Sequence, residues 1–228
     1  YGFKSFLPNN PVLQVLRALC VIVGMSMFYW AVSLIPLAEA TAIAFVAPLV
    51  TTALSPWMLG EKVGIRRWSS VFVGFCGVLI ILRPDLGGDR LGYIVAFGAG
   101  VAIGIFYIFN RLLAGKEPPL RNLMYSSTIA FFLLTPVIFP VWVEPRYEDL
   151  LLIFGFCFIA AMGQLCLFNA FVLGEASILA PITLSQIIFA TGFGYFFFDD
   201  FPDSLSIFGI LVVVISAAYI AFRETRQG

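Results

Sequence analysis

Between Glu39 and Glu61 the chain carries no charge at all, and this stretch constrains the fold more than any other. The two carboxylates are 22 residues apart. A helix rising ~1.5 Å per residue covers roughly 33 Å in that distance. The apolar layer of a bilayer is ~30 Å thick. A carboxylate at each end and none between is the pattern of a membrane span. Pro48 and Pro56 lie inside it. An interior proline costs a lone helix ~3 kcal/mol, but packed membrane helices can re-satisfy the freed carbonyls.

The rest of the chain agrees. Of 228 residues, 61% are hydrophobic and only 11% charged, against about 25% charged in soluble domains. Too little charge remains to cover a water-facing surface. Net charge is zero, so no nucleic-acid footprint is present. The chain has no histidine, which removes the commonest metal ligand and the commonest general base near neutral pH. No cofactor and no catalytic role are expected. Cys20, Cys76, Cys157 and Cys166 sit inside apolar runs and match no zinc or redox spacing. They read as small buried packing residues.

Eight apolar runs follow one another, at roughly 12–35, 38–59, 68–82, 92–113, 123–143, 151–173, 176–198 and 204–222. None shows the period of two of a barrel strand. Turn chemistry separates them, as at Arg83-Pro84-Asp85, Glu117-Pro118-Pro119 and Glu144-Pro145-Arg146. If the loops alternate sides, one side holds 10 of the 13 basic residues, Arg17, Lys62, Arg66, Arg67, Arg111 and Arg121 among them. The other side holds 9 of the 13 acids. The positive-inside rule then places both termini in the cytoplasm. Glu39 faces out and Glu61 faces in.

An internal repeat is visible. Ala38-Glu39-Ala40-Thr41 opens the second run, and Gly174-Glu175-Ala176-Ser177 opens the seventh. Leu59-Gly60-Glu61 is echoed by Phe198-Asp199-Asp200. The copies have opposite orientation, and an inverted repeat is a transporter signature. Three runs precede the Arg83-Pro84 break and five follow it, so two further spans are expected before Tyr1.

At residues 36–84 the chain resembles the end of the first repeat of EamA-type transporters of the drug/metabolite transporter superfamily. Residues 174–224, with EASILAP, GYFFFDDFPD and AYIAFRE, resemble the end of the second repeat. That second-repeat pattern is similar to S-adenosylmethionine uptake carriers. The resemblance implies an all-α polytopic fold of ten transmembrane helices in two inverted five-helix halves around a central cavity. Eight helices would lie in this chain, residues 1–84 as a partial first repeat and 85–228 as a complete second. It implies a carrier of a small organic metabolite in a bacterial inner membrane, with homodimers possible. Asp199-Asp200 stands where the family pattern has Gly-Glu.

Polar side chains inside spans are costly and mark candidate sites. The best candidates are Gln186 and Gln164, with Thr183 and Ser185 beside Pro181 in the seventh run. Tyr29 and Trp30 share a helical face with Ser26 and Ser33. Tyr107 and Asn110 lie one turn apart in the fourth run, and Asn169 in the sixth. Gly100 and Gly104 form a small-xxx-small pair for helix contact. No carboxylate lies mid-span, so a coupling group would be in the helices expected before Tyr1 or at a span end such as Glu39 or Glu175. No phosphate loop is present, which favours transport without ATP. A lipid-linked substrate flippase and a membrane receptor remain as alternative readings.

Overall fold

In a computed structural model the described residues are 10–61, 63–82, 90–116, 118–175, 179, 189, 192–193, 195–197 and 203–224. Among them every regular element is helical. The order is α1 (Pro11–Val32), α2 (Leu37–Ala44), α3 (Val46–Met58), α4 (Ile65–Leu82), α5 (Arg90–Leu113), α6 (Pro119–Ile138), α7 (Tyr147–Leu173) and α8 (Ser204–Glu224). A short 3-10 turn, Phe139–Val141, ends α6. The helices fall on the apolar runs, except that the second run is broken in two and most of the seventh lies outside the described residues. Among the described residues, four stretches are long and apolar enough to cross a membrane: Pro11–Val32, Glu39–Met58, Arg90–Leu113 and Tyr147–Leu173.

The helices sort into two compact units. One holds Tyr1–Leu19 and Phe109–Leu173, the other Cys20–Ile108 and Gly174–Gly228. In the first unit, α6 packs on α7. No residue in the most apolar stretch of α7 is buried. Leu151, Phe154, Phe158 and Ile159 are all exposed. In water this surface would be untenable; in lipid it is the expected face. Cys157 and Cys166 also lie exposed on α7, and Cys20 and Cys76 are only half-buried. The expectation of buried packing cysteines is therefore corrected: an outward position in lipid suits a thiol as well as a core position does.

In the second unit, α4 packs along α8 and also meets α2 and α3. Gly74 makes the close approach possible. A Cβ there would lie 2.9 Å from Ser216 Oγ. A small core of Ala31, Ile35, Ala40, Ile43, Val95 and Ala96 joins the C-terminal end of α1 and the turn after it to α2 and α5. The Gly100 and Gly104 pair does bring backbones together. A Cβ on Gly100 would stand 2.7 Å from the Ala44 carbonyl, and one on Gly104 2.7 Å from the Ala47 carbonyl.

The Leu59-Gly60-Glu61 ending of α3 is a helix stop. Leu59 N–H donates to the Ser55 carbonyl at 2.9 Å, and Glu61 N–H turns back to the same oxygen at 3.4 Å. Between them Gly60 takes a φ of 70°, a left-handed conformation that costs glycine little.

Candidate functional site

The sequence places Pro48 where α2 would otherwise run on into α3. Proline has no N–H for the Ala44 carbonyl four residues back. The helix is interrupted at Phe45, whose φ of −69° and ψ of 5° leave the helical range. Broken membrane helices expose backbone polar groups only where a cavity or a neighbour can receive them. Here a pocket opens beside the break. It is lined by Met25 and Phe28 of α1, Thr41, Ala44, Phe45, Ala47 and Pro48 of the broken pair, and Ile103 and Tyr107 of α5. Its cavity volume is about 90 Å³, and it is open on one side.

The walls are chiefly apolar and aromatic, and Thr41 and Tyr107 are the lining residues that carry a hydroxyl. Thr41 is buried in the wall. One turn beyond Pro48, Thr52 is fully buried, and its hydroxyl has no protein partner among the described residues. Thr51 ties α3 to α5. Its hydroxyl oxygen lies 2.9 Å from the Ala47 carbonyl and 3.1 Å from the Gly104 carbonyl, so one proton is shared between α3 and α5. At the other end of α2, Tyr93 donates a 3.0 Å hydrogen bond to Glu39.

A second polar centre lies in the other unit. Arg17 is fully buried. Its Nη2 donates to the Asn122 carbonyl at 2.6 Å, to Ser126 Oγ at 2.8 Å and to Gln14 Oε1 at 2.9 Å. Nη1 reaches Asn110 Oδ1 at 3.3 Å, and Nε reaches Gln14 Oε1 at 3.2 Å. Gln14 in turn donates to Asn122 Oδ1 at 2.6 Å. The guanidinium lies 5.1 Å from the Phe168 ring centroid, within cation–π range. These contacts bring the start of α1, the end of α5, the start of α6 and the end of α7 to one level. Arg111 adds a 2.8 Å bond to the Phe171 carbonyl.

Of the residues singled out in the sequence, Tyr107 lines the pocket. Tyr29 and Trp30 are 58% and 51% exposed. Tyr29 reaches the pocket only through an edge contact with Phe28, at 6.1 Å between centroids. Asn110 belongs to the Arg17 network. Asn169 donates to the Leu165 carbonyl of its own helix at 2.9 Å and is exposed. Gln164 is half-buried, with an oxygen that has no protein partner among the described residues. Thr183, Ser185 and Gln186 lie outside the described residues, as does Pro181. Sequence reasoning missed Arg17 and Gln14 as a pair. Their spacing of three on one helix, inside an apolar run, was the available signal.

Comparison with known proteins adds four findings. The model of the EamA-like transporter family matches residues 4–83 and 90–222. The chain is 26% identical over 230 residues to an S-adenosylmethionine uptake transporter of Rickettsia prowazekii, covering 100% of this chain and 77% of that protein. It is 28% identical over 210 residues to a pseudopaline exporter of Pseudomonas aeruginosa, covering 88% and 71%. A crystal structure that is 17% identical superposes with a TM-score of 0.73 over 99% of this chain and 80% of that one, a likeness of fold.

Proposed function

This chain belongs to the EamA-like transporter family, and from that premise we propose that it is a secondary carrier of a small organic metabolite. It is an integral membrane protein whose relatives are named as transporters. In our reading it sits in a bacterial inner membrane with both ends of the chain in the cytoplasm. It works by alternating access, as eight spans of a ten-helix inverted-repeat fold, residues 1–84 and 85–228 being the two repeats.

The observation that carries this reading is the pocket at the α2–α3 break. Its lining draws on both proposed repeats, Met25 to Pro48 from the first and Ile103 with Tyr107 from the second. A site shared by two inverted halves, beside an interrupted helix, is the arrangement by which such carriers hold a substrate near the midplane. Tyr107 and Thr41 supply hydroxyls, and Phe28 and Phe45 supply aromatic faces. Gln164, Asn169, Asn110, Thr183, Ser185, Gln186, Tyr29 and Trp30 remain proposed contributors to the wider substrate path. No step in this cycle calls for catalysis or for a cofactor.

The test is transport by the purified protein in liposomes. Labelled amino acids, nucleosides, S-adenosylmethionine and vitamins form the panel. At least one is expected to accumulate or exchange. Silence across the panel from folded protein sinks the metabolite reading. Accumulation that survives Tyr107→Phe and Thr41→Val unchanged in half-saturation removes this pocket from the path.

A further inference from the structure

We propose that the Arg17 network is a reversible bolt that closes one membrane face of the carrier, holding the ends of α1, α5 and α6 together until that face opens. The proposal rests on the alternating-access reading above. Three features carry it.

The first is where the bonds go. A buried charge that served only its own helix would be satisfied locally. Arg17 instead spends its planar fork on three helices: Gln14 on α1, Asn110 on α5, and Asn122 with Ser126 on α6. A second crosslink, Gln14 to Asn122, runs beside it. Lysine cannot reproduce that geometry, since a guanidinium presents its donors as a rigid fork and an ammonium as a point.

The second is the position. The network gathers helix ends and not helix middles. Asn110 lies three residues before the end of α5, Asn122 three after the start of α6, and Arg17 within the first two turns of α1. Contacts at helix ends are the ones that part when a bundle opens on one side.

The third is that the closed arrangement is incompletely satisfied. Asn110 is 2% exposed, and its Oδ1 is turned to Arg17, so its Nδ2 is committed to the interior. That nitrogen has no protein partner among the described residues, and neither has Gln164 Oε1, one turn before Phe168 on α7. Buried polar groups without partners weigh against the state that holds them. Opening the face returns the Asn110 amide to water. The bolt is thus strong in number of bonds and still breakable.

Two measurements on the full chain test this. In lipid nanodiscs, Arg17→Lys is expected to speed amide hydrogen exchange about tenfold at residues 11–17, 110–116 and 119–126, with α3, α4 and α8 unchanged. Ser126→Ala, which removes one acceptor and keeps the guanidinium, gives the same regional pattern at smaller amplitude. Uniform acceleration, or none, overturns the proposal in favour of a general structural role. In proteoliposomes, half-saturation for a metabolite that the wild type moves is measured from each face. Arg17→Lys improves it at the face where α1 begins and worsens it at the other, because weakening a bolt shifts the population of the two open states. Parallel shifts on both faces, or no shift, overturn it. If the wild type moves nothing in the panel, the transport reading fails and the exchange pattern still decides the bolt.

Discussion

The Thr51 hydroxyl lies 3.1 Å from the Gly104 carbonyl, although 53 residues separate them. That distance is short because Gly104 has no side chain to hold α5 off α3. The Cβ of an alanine there would meet the Ala47 carbonyl at 2.7 Å, and that oxygen belongs to backbone. Overpacking of this kind costs about 1–3 kcal/mol. Gly104→Ala is therefore expected to lower the melting temperature by several degrees. Gly163→Ala on α7, where nothing lies within 4 Å of the added methyl, is expected to leave it unchanged. Thermal unfolding of the two variants side by side checks the contrast.

Pro48→Ala acts on the break itself. It restores an N–H that can reach the Ala44 carbonyl, so α2 and α3 are expected to join into a straighter helix. Stability stays level or rises, since the Ala44 carbonyl gains a backbone donor. Transport falls, because the pocket owes its shape to the interruption. Melting temperature and initial transport rate, measured on the same preparation, are expected to move apart.

Tyr93→Phe removes the hydroxyl that donates 3.0 Å to Glu39. A hydrogen bond to a charged group is worth about 1.5–3 kcal/mol when well sheltered. Glu39 is only half-buried, so about 1 kcal/mol is the expected loss. Glu39→Gln combined with Tyr93→Phe then costs less than the sum of the two, as required of residues in contact. A double-mutant cycle in thermal stability reads this directly.

On α7 the prediction concerns insertion. Phe158 is 69% exposed near the middle of a 27-residue apolar helix. A lysine at a span centre costs about 2.5–3.5 kcal/mol on insertion scales. Phe158→Lys is expected to deplete the protein from the membrane fraction, whereas Phe158→Leu leaves its level intact. Quantitative blotting of membrane fractions distinguishes the two.

Much of this architecture was legible in the sequence, and the gaps have physical causes. The helices sit on the apolar runs because hydrophobic length is a local property. The Gly100–Gly104 pair was legible because small residues at a spacing of four have few other uses. Met25 and Phe28 were not, because an apolar pocket wall and a packed core are written with the same residues. The interruption at Phe45 was hidden by hydrophobicity that continues straight through it. Arg17 was read only as a charge that marks a membrane face. Its partners Asn110 and Asn122 lie 93 and 105 residues away, and no local pattern announces a bond over that distance.

The bare flank of α7 has a consequence for how the sequence can drift over time. A position that meets only lipid is selected for being apolar and for little else. Leu151, Phe154, Phe158 and Ile159 can therefore exchange freely among leucine, isoleucine, valine and phenylalanine. Thr51, Gly100 and Gly104 answer to a neighbour's backbone and have no such freedom. The boundary between lipid and protein is thus written into the chain as a difference in permitted variation, and an alignment of related chains should recover it with no coordinates at all.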